Sequence, residues 1–587
     1  MSFIQRVLST VTGIIVFLII CFIGLIILGA ILGSGSDDLI KVKSNSVLEL
    51  TLDFPIKDYG GKIEFAEYPF LNESSKKGLF NIIDAIHYAA TDNNIKGISI
   101  DNNFINAGVS QTKALRGALL KFKESGKFVV AYGDIYSQKD YYLSSVADTI
   151  YINPAGMMEF KGLSTQQLYF KDFQEKTGFK MEIVRHGKYK SAVEPFLANE
   201  MSDNNRAQIE AYLNSLWLEM RKDIAVSRNI TVERLNSIAD SLLARNPELA
   251  KSSNLIDKIA YHDEYISAMK YAIGMEPDKE LNRVAMEDYS EYASRYLGGK
   301  YNKNKIAVIY AEGDIIYGEG DENTVGQGTM EKSLLEARTN PNIKAVVLRV
   351  NSPGGSALAS ELIWREIELT KKVKPVIVSM GNYAASGGYY IASNAHKIIA
   401  EPTTITGSIG VFGMLPNGKQ LAENMGINAE QVITNQNALT YSFFEPLSDR
   451  QRKYIKEGVV NVYELFTNRV AQGRKLTIAQ VEEIAQGRVW TGVDALKIGL
   501  VDELGGLDLA LKYAAEAAEL QEYSVREFPV FEKDLDKMLE DFGIVKAKET
   551  ILKEELGEEN YKILKEIKSM SQKKGVQLLF PYGTNIK

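Results

Sequence analysis

The stretch IKAVVLRVNSPGGS, residues 343–356, decides the fold of the chain around it. It begins as a short apolar run that ends in turn residues, which is typical of a buried strand. Ser356 can then cap a segment whose apolar residues recur at near-helical spacing. Pro375 ends this helix, residues 376–378 predict a second strand, and another helix is expected to open near Ser386. Strands and helices in alternation predict an α/β fold with parallel strands.

This pattern occurs twice in the chain. The sequence NIKGI at residues 94–98 recurs as NIKAV at residues 342–346, an offset of 248 residues. The same offset aligns further pairs: Gly133 with Gly381, Tyr141 with Tyr389, and Ala147 with Ala395. We therefore predict two copies of one domain, over residues 45–294 and 305–530.

Composition limits the class of protein. The chain has 587 residues, of which 45% are hydrophobic and 24% charged, as in a globular protein of two or more domains. The net charge of −7 argues against nucleic acid as a partner. A single cysteine, Cys21, excludes an internal disulfide framework and a cysteine-rich zinc site. No metal or nucleotide motif is present, so we predict no cofactor.

The two ends differ from the repeated domains. Residues 7–32 carry no charge and are long enough to cross a bilayer, so they predict one uncleaved transmembrane helix. Arg6 precedes this span, which predicts that residues 1–6 lie in the cytosol and the domains outside it. Residues 531–587 are rich in lysine and glutamate and predict a charged helical tail, solvated or used in assembly.

The two copies carry different residues at the positions that are candidates for catalysis. At the offset of 248, Ser386 falls opposite Gln138, and residues 354–355 fall opposite Asn106 and Ala107. Lys190 in the first copy has no basic counterpart in the second. One copy therefore supplies a nucleophile and a glycine turn, while the other supplies an amine.

A serine hydroxyl is a weak nucleophile and needs a base within hydrogen-bond reach. None of the four histidines lies in a triad motif, which leaves Lys190 as the candidate base. Its amine must be neutral, and the pKa of a free lysine is roughly 10.4, so it has to fall by about 3 units. The apolar residues around Lys190 favour this shift, provided that Glu194 points away or is separated from the amine by water.

The glycines can stabilise the substrate oxygen that becomes negative during acyl transfer. Backbone N–H groups of Gly354, Gly355 and Gly387 are candidates for an oxyanion hole. Residues without a side chain also let a substrate carbonyl approach closely.

Four blocks together carry a resemblance to a known family: YKSAVEPF at 189–196, NSPGG at 351–355, ASGGY at 385–389 and TGSIG at 406–410. They resemble the long, tandem-domain form of the signal peptide peptidase A family, peptidase family S49. The resemblance implies domains of the Clp-protease/crotonase fold. It also implies that GRVWTG at 487–492 is a closing segment with a structural role.

By this resemblance each candidate residue receives a role. Ser386 is the nucleophile, Lys190 the general base, and Gly387 with Gly354 or Gly355 the oxyanion donors. Ser408 corresponds to an accessory serine that helps hold the lysine.

The resemblance also implies a function and partners. The substrates would be remnant signal peptides and other apolar peptides, cleaved by a single-pass protein at the outer face of the bacterial inner membrane. Membrane lipid around the N-terminal helix and further copies of the chain, as a homo-oligomer (a tetramer in the family), would be its partners. The side-chain preference and the oligomer count stay open, as does whether Lys190 meets Ser386 of its own chain.

Two other functions are compatible with such a fold. A crotonase-like acyl-thioester enzyme also uses paired amides, but no coenzyme A site is evident in the sequence. A non-catalytic membrane scaffold is the other alternative. The presence of every expected catalytic group across the two copies argues against it.

Overall fold

The computed structural model describes residues 41–64, 73–74, 78–102, 104–297, 302–532 and 575–579, with a few isolated positions before residue 21. The predicted membrane helix at 7–32 is therefore almost entirely outside the described residues. Within the described part of the chain, no helix has the length and apolar composition that crossing a membrane requires.

The first copy contains these helices and strands: β1 (Ser46–Leu50), β2 (Lys62–Glu64), β3 (Glu73–Ser74), α1 (Leu79–Thr91), β4 (Ile95–Asp101), α2 (Val109–Lys123), β5 (Phe128–Tyr136), α3 (Gln138–Ser144), β6 (Thr149–Met158), α4 (Lys171–Thr177), β7 (Lys180–His186), α5 (Glu194–Leu197), α6 (Asp203–Arg228), α7 (Val232–Asp240), α8 (Pro247–Ser252), β8 (Lys258–Ile259), α9 (His262–Ala272), β9 (Arg283–Ala285) and α10 (Met286–Leu297).

The second copy and the tail contain the remaining elements: β10 (Lys305–Glu312), β11 (Asp314–Ile316), β12 (Gly320–Asp321), β13 (Thr324–Gly326), α11 (Gln327–Thr339), β14 (Ile343–Ser352), β15 (Gly354–Ser356), α12 (Ala357–Lys371), β16 (Val376–Ala385), α13 (Gly387–Ala392), β17 (Lys397–Ala400), β18 (Ile405–Gly407), β19 (Val411–Asn417), α14 (Lys419–Asn424), α15 (Asp449–Arg474), α16 (Ile478–Ile484), β20 (Val489–Thr491), α17 (Gly492–Lys497), β21 (Glu503–Leu504), α18 (Leu507–Ala517), β22 (Ser524–Phe528), β23 (Val530–Glu532) and β24 (Gly575–Leu579).

Each copy is built on its own largely parallel sheet. The strand order is β8–β6–β5–β4–β1–β9 in the first copy and β20–β18–β16–β14–β10–β22 in the second. The central strands β10, β14 and β16 run parallel to one another, as do β1, β4 and β5. The predicted α/β class with parallel strands is confirmed.

The internal repeat is visible in the elements themselves. Helices α2 and α12 begin and end at positions that differ by the predicted offset, and so do α1 and α11. The long helices α6 and α15 each span 26 residues. Insertions that shift the register therefore fall between elements, as expected when two copies share one core.

The apolar run that begins at Ile343 forms strand β14, and both faces of this strand are covered. Val346, Leu348 and Val350 belong to the core on one face of the sheet, where α11 and α13 contact β14, while Ala345 and Val347 belong to the core on the other face, where α18 contacts it. Both faces are buried, so the strand reads as a continuous apolar stretch rather than an alternating one.

The two copies are joined where the candidate residues converge. Strand β7 of the first copy pairs antiparallel with β19 of the second along its whole length. A buried ion pair also crosses the boundary, because Arg349 Nε donates to Asp58 Oδ2 at 2.6 Å. The segment that follows β7, which contains Lys190, is thereby placed beside the second sheet.

The predicted helical tail, residues 531–587, is corrected where the structure describes it. Residues 531–532 complete β23, and residues 575–579 form β24, which lies between β15 and β19 in a seven-stranded sheet that also contains β7 of the first copy. The helix was predicted from the lysine and glutamate content of the tail as a whole. The segment GVQLL at 575–579 differs from the rest because it carries no charge, which is typical of a short strand. The other residues of the tail lie outside the described ranges.

Candidate active site

Lys190 reaches the site through a tight connection after β7. The N–H of Tyr189 donates to the carbonyl of Gln486 at 2.9 Å, and the N–H of Lys190 donates to the carbonyl of Gly187 at 3.3 Å. A single 3₁₀ turn, Ser191–Val193, follows directly. The backbone of the base is thus fastened to both copies of the domain.

Ser386 occupies the junction between β16 and α13. Its backbone has φ 56° and ψ −114°, a conformation that is rare for a residue with a side chain. The N–H of Ser386 donates to the carbonyl of Gly407 at 2.8 Å, which holds this bend in place. Strained positions that the surrounding structure enforces are common at active sites.

The structure brings the predicted nucleophile and base together within one chain. Nζ of Lys190 lies 2.7 Å from Oγ of Ser386, and it donates to Oγ of Ser408 at 3.1 Å and to the carbonyl of Ser408 at 3.3 Å. All three residues have 0% exposed surface. The distance between Nζ and Oγ of Ser386 is that of a direct hydrogen bond.

Burial lowers the pKa of Lys190 well below its ordinary value, because removing the amine from water penalises its charged form. No carboxylate among the described residues offsets this effect at the site. The side chain of Glu194 points away and accepts hydrogen bonds from Asn205 Nδ2 at 2.6 Å and from the N–H of Ser202 at 3.3 Å. The sequence-based condition on Glu194 is therefore met.

The predicted oxyanion glycines lie next to one another. A Cβ on Gly387 would stand 3.1 Å from Gly354 Cα and from Gly355 N, so the start of α13 touches the glycine turn. Gly355 itself has no room for a side chain, since a Cβ there would lie 2.0 Å from the carbonyl oxygen of Ile315. The N–H of Gly354 donates to Ser352 Oγ at 3.2 Å. Gly355 and Gly387 are consequently the stronger candidates for oxyanion donors.

Two residues that position Lys190 were missed from the sequence. Gly487, with φ 82°, packs so closely that a Cβ would lie 2.6 Å from the backbone nitrogen of Lys190. Nε2 of Gln208 donates to Ser191 Oγ at 2.8 Å and to the carbonyl of Tyr189 at 3.1 Å. Gly487 lies in the segment predicted to be structural, but a glutamine inside a long helix carries no signal of its own.

At the corresponding position of the first copy, Gln138 holds a loop by hydrogen bonds. Oε1 of Gln138 accepts the N–H groups of Lys161 and Gly162 at 3.0 and 2.8 Å, and its Nε2 donates to the carbonyl of Gly162. A glutamine that holds a loop replaces the serine, which agrees with the division of roles between the copies.

Comparison with known proteins identifies the family. The model of peptidase family S49 matches the chain twice, over residues 121–276 and 368–521, one match in each copy. The chain belongs to peptidase family S49. Its two S49 domains confirm the tandem arrangement.

Individual S49 relatives cover most of the chain. Protease 4 of Haemophilus influenzae is 39% identical over 78% of this chain and 75% of its own length. Protease 4 of Salmonella typhi is 35% identical over 88% of this chain and 86% of its own. The chloroplastic serine protease SPPA of Arabidopsis thaliana is 34% identical over 82% and 70%.

Among solved structures, a ClpP1 mutant from Listeria monocytogenes matches 34% of this chain and 91% of its own, with 16% identity and a TM-score of 0.23. A score this low lends no weight to a shared fold. The family and its relatives show that the S49 chain is a serine protease. They therefore favour neither a crotonase-like acyl-thioester enzyme nor a non-catalytic scaffold.

Proposed function

We propose that this protease cleaves peptide bonds with a Ser–Lys dyad, in which Ser386 is the nucleophile and Lys190 the general base. The observation that carries the proposal is the 2.7 Å contact between Nζ and Oγ of two fully buried residues. A lysine suits this place because its amine can be neutral near physiological pH once desolvated, whereas an arginine stays charged.

Acylation then follows from the geometry. Neutral Nζ of Lys190 accepts the proton of Ser386 as Oγ attacks the carbonyl carbon of the substrate. The carbonyl oxygen becomes negative and is stabilised by the backbone N–H groups of Gly387 and Gly355. The ammonium of Lys190 next donates its proton to the leaving amine, which leaves an ester on Ser386.

Deacylation repeats these steps with water. Lys190, again neutral, accepts a proton from a water molecule that attacks the ester carbonyl. The proton returns to Oγ when the bond to Ser386 breaks, and the carboxyl product leaves. Ser408 holds the amine in line during both halves, because its hydroxyl and carbonyl both accept hydrogen bonds from Nζ.

The proposed substrates are remnant signal peptides and other apolar peptides at the outer face of the bacterial inner membrane. Residues 7–32 would anchor a single-pass, homo-oligomeric protein there. A buried apolar cluster of Val193, Phe412 and Met414 packs beside Lys190. The putative signal peptide peptidase SppA of Enterococcus faecium, 33% identical over 42% of this chain, supports this class.

The experiment that tests the function measures hydrolysis of an apolar signal-peptide fragment by detergent-solubilised protein. A charged peptide of equal length is the control substrate, and the Ser386→Ala chain is the blank. We expect cleavage of the apolar peptide only, and only with Ser386 present. Equal turnover of both peptides would contradict the substrate class, and turnover by the blank would contradict the nucleophile.

Ser408→Ala is expected to lower kcat/KM by about two- to tenfold, since a single hydrogen bond to the amine is worth roughly 0.5–1.5 kcal/mol. The carbonyl of Ser408 still accepts from Nζ, so the loss is partial. The measurement is a peptidase assay beside Ser393→Ala, a buried serine whose hydroxyl donates to the carbonyl of Tyr390 within its own helix turn. Equal activities of the two variants would argue against a role for Ser408.

A further inference from the structure

Tyr390 lies in α13, one helical turn after Ser386, and its side chain links this helix to two others. The N–H of Tyr390 donates to the carbonyl of Ser386 at 2.8 Å. Its ring is buried, and its hydroxyl donates to Oε2 of Glu361 on α12 at 2.5 Å. Nη2 of Arg469 on α15 donates to the other oxygen of the same carboxylate, Oε1, at 2.5 Å. One carboxylate therefore holds α12, α13 and α15 together.

The carboxylate of Glu361 joins the two segments that carry the stronger oxyanion candidates. Gly355 lies in β15, which leads directly into α12, and Gly387 is the first residue of α13. The helices also touch at this end, because a Cβ on Gly387 would lie 2.7 Å from Oγ of Ser360. The hydrogen bond between Tyr390 and Glu361 thus restrains the distance between the two backbone N–H groups.

The first copy contains the same construction with the charges exchanged. The corresponding positions, given by the offset of 248 residues and by the equal lengths of α6 and α15, are Tyr142 with Tyr390, Lys113 with Glu361, and Asp223 with Arg469. The hydroxyl of Tyr142 donates to Oδ2 of Asp223, and Nζ of Lys113 lies 2.5 Å from that oxygen. In both copies a tyrosine binds a carboxylate that has a cation beside it. The carboxylate is on α6 in the first copy and on α12 in the second.

We propose that Glu361, held by Arg469, is a positioning residue for catalysis: through Tyr390 it sets the spacing of the N–H groups of Gly355 and Gly387. The proposal rests on the proposed function, because this spacing matters only when an oxyanion is bound there. Burial and the hydrogen bond to Glu361 raise the pKa of the Tyr390 hydroxyl above its ordinary value. The hydroxyl therefore remains a donor at any pH at which the protease works.

Tyr390→Phe and Tyr142→Phe form a matched pair, since each removes one buried hydroxyl that donates to a carboxylate. Both full-length variants should lose similar stability in urea unfolding. Only Tyr390→Phe should lower kcat for the apolar peptide, by about tenfold, with KM little changed. Loss of an oxyanion donor costs roughly 10²–10³-fold, and here the donors are displaced rather than removed. Equal kcat values for the two variants would overturn the positioning role.

Exchange of the charges tests Glu361 and Arg469 directly. Glu361→Lys and Arg469→Asp each place like charges side by side, and each should lower kcat at least about tenfold through displacement of α13. The double variant has the polarity of the first copy, with the carboxylate on α15 as acceptor for Tyr390. It should recover kcat at least about fivefold over either single variant, since residues of one network are strongly coupled. A double variant that regains its melting temperature but not kcat would overturn the proposal, as would single variants with the parental kcat.

A peptide aldehyde and a pH profile separate displaced oxyanion donors from a displaced base. Oγ of Ser386 adds to the aldehyde carbon, its proton passes to Lys190, and the former carbonyl oxygen becomes the oxyanion. Tyr390→Phe should raise the inhibition constant by about the factor by which it lowers kcat/KM. Its pH profile should match the parent, because Nζ of Lys190 contacts Ser386 and Ser408 instead. A shifted profile with an unchanged inhibition constant would overturn the proposal. Hydrolysis that persists after Ser386→Ala would instead count against the proposed function.

Discussion

Lys190→Met is expected to lower kcat/KM for an apolar peptide by about 10²–10⁴-fold, the range that a positioned general base contributes. Ser386→Ala should lower it at least as much, because no other nucleophile replaces the hydroxyl. Groups that act as one unit are strongly non-additive, so the double variant should be no slower than the worse single one. Methionine fills much of the space of the lysine, which keeps the buried pocket packed.

The pH dependence follows from the direction of the pKa shift. Burial lowers the pKa of Lys190, and only its neutral form accepts the serine proton. kcat/KM is therefore expected to rise with pH through that lowered pKa and to reach a plateau well below pH 10.4, the approximate pKa of a free lysine. A profile that rises only near the pKa of free lysine would contradict a buried neutral base.

Lys190→Met is expected to stabilise the fold although it lowers the activity. In the unfolded chain Lys190 is protonated up to about pH 10.4. The folded state disfavours that proton, so folding is penalised most below the lowered pKa, and the penalty fades as the pH rises towards 10.4. Lys190→Met should therefore raise the melting temperature, more at pH 6 than at pH 9.

Matched measurements separate a lost base from a damaged fold. Lys188→Met, two residues earlier, is the control because the ammonium of Lys188 lies over the ring of Tyr189 and makes no contact with Ser386. It should keep both activity and melting temperature. A Lys190→Met chain that melts lower than the parent at pH 6 would show that the amine stabilises the fold, contrary to a desolvated neutral lysine.

How much of this site was predictable depends on the range of the interactions. The strand and helix around residues 343–371 follow from local periodicity, and the repeat follows from an offset between identical residues. The pairing of Lys190 with Ser386 was predicted only from their complementary chemistry in two copies. Its distance depends on β7 crossing to β19, a contact between residues far apart in sequence that no local pattern encodes.

The parts that sequence reasoning missed are of the same long-range kind. Asp58 and Arg349 form a buried pair between the copies, although each is an ordinary charge in its own segment. The composition of residues 531–587 predicted a helix because it averages over many residues. The strand at 575–579 instead depends on its pairing with β15 and β19. Tertiary partners override local propensity most readily in short strands.

The packing of Gly487 on Lys190 leads to the second large effect. Gly487→Ala places a Cβ 2.6–2.7 Å from N, Cα and Cβ of Lys190, closer than such atoms can stand. The clash is with backbone, so the lysine segment has to move. Displacement of a catalytic group by about 1 Å can lower the rate about 10²-fold. We expect a loss of this order in kcat, with KM little changed.

Backbone strain has to be distinguished from this displacement, because alanine at φ 82° also destabilises the fold by roughly 1–2 kcal/mol. Gly499→Ala is the matched control, since Gly499 has φ 78° and nothing within 4 Å of an added Cβ. Both variants should lose similar stability in urea unfolding, but only Gly487→Ala should lose activity and show a shifted pH profile. Equal losses of activity in Gly487→Ala and Gly499→Ala would show that Gly487 has only a structural role. A pH profile of Gly487→Ala that matches the parent would show that the amine of Lys190 has not moved.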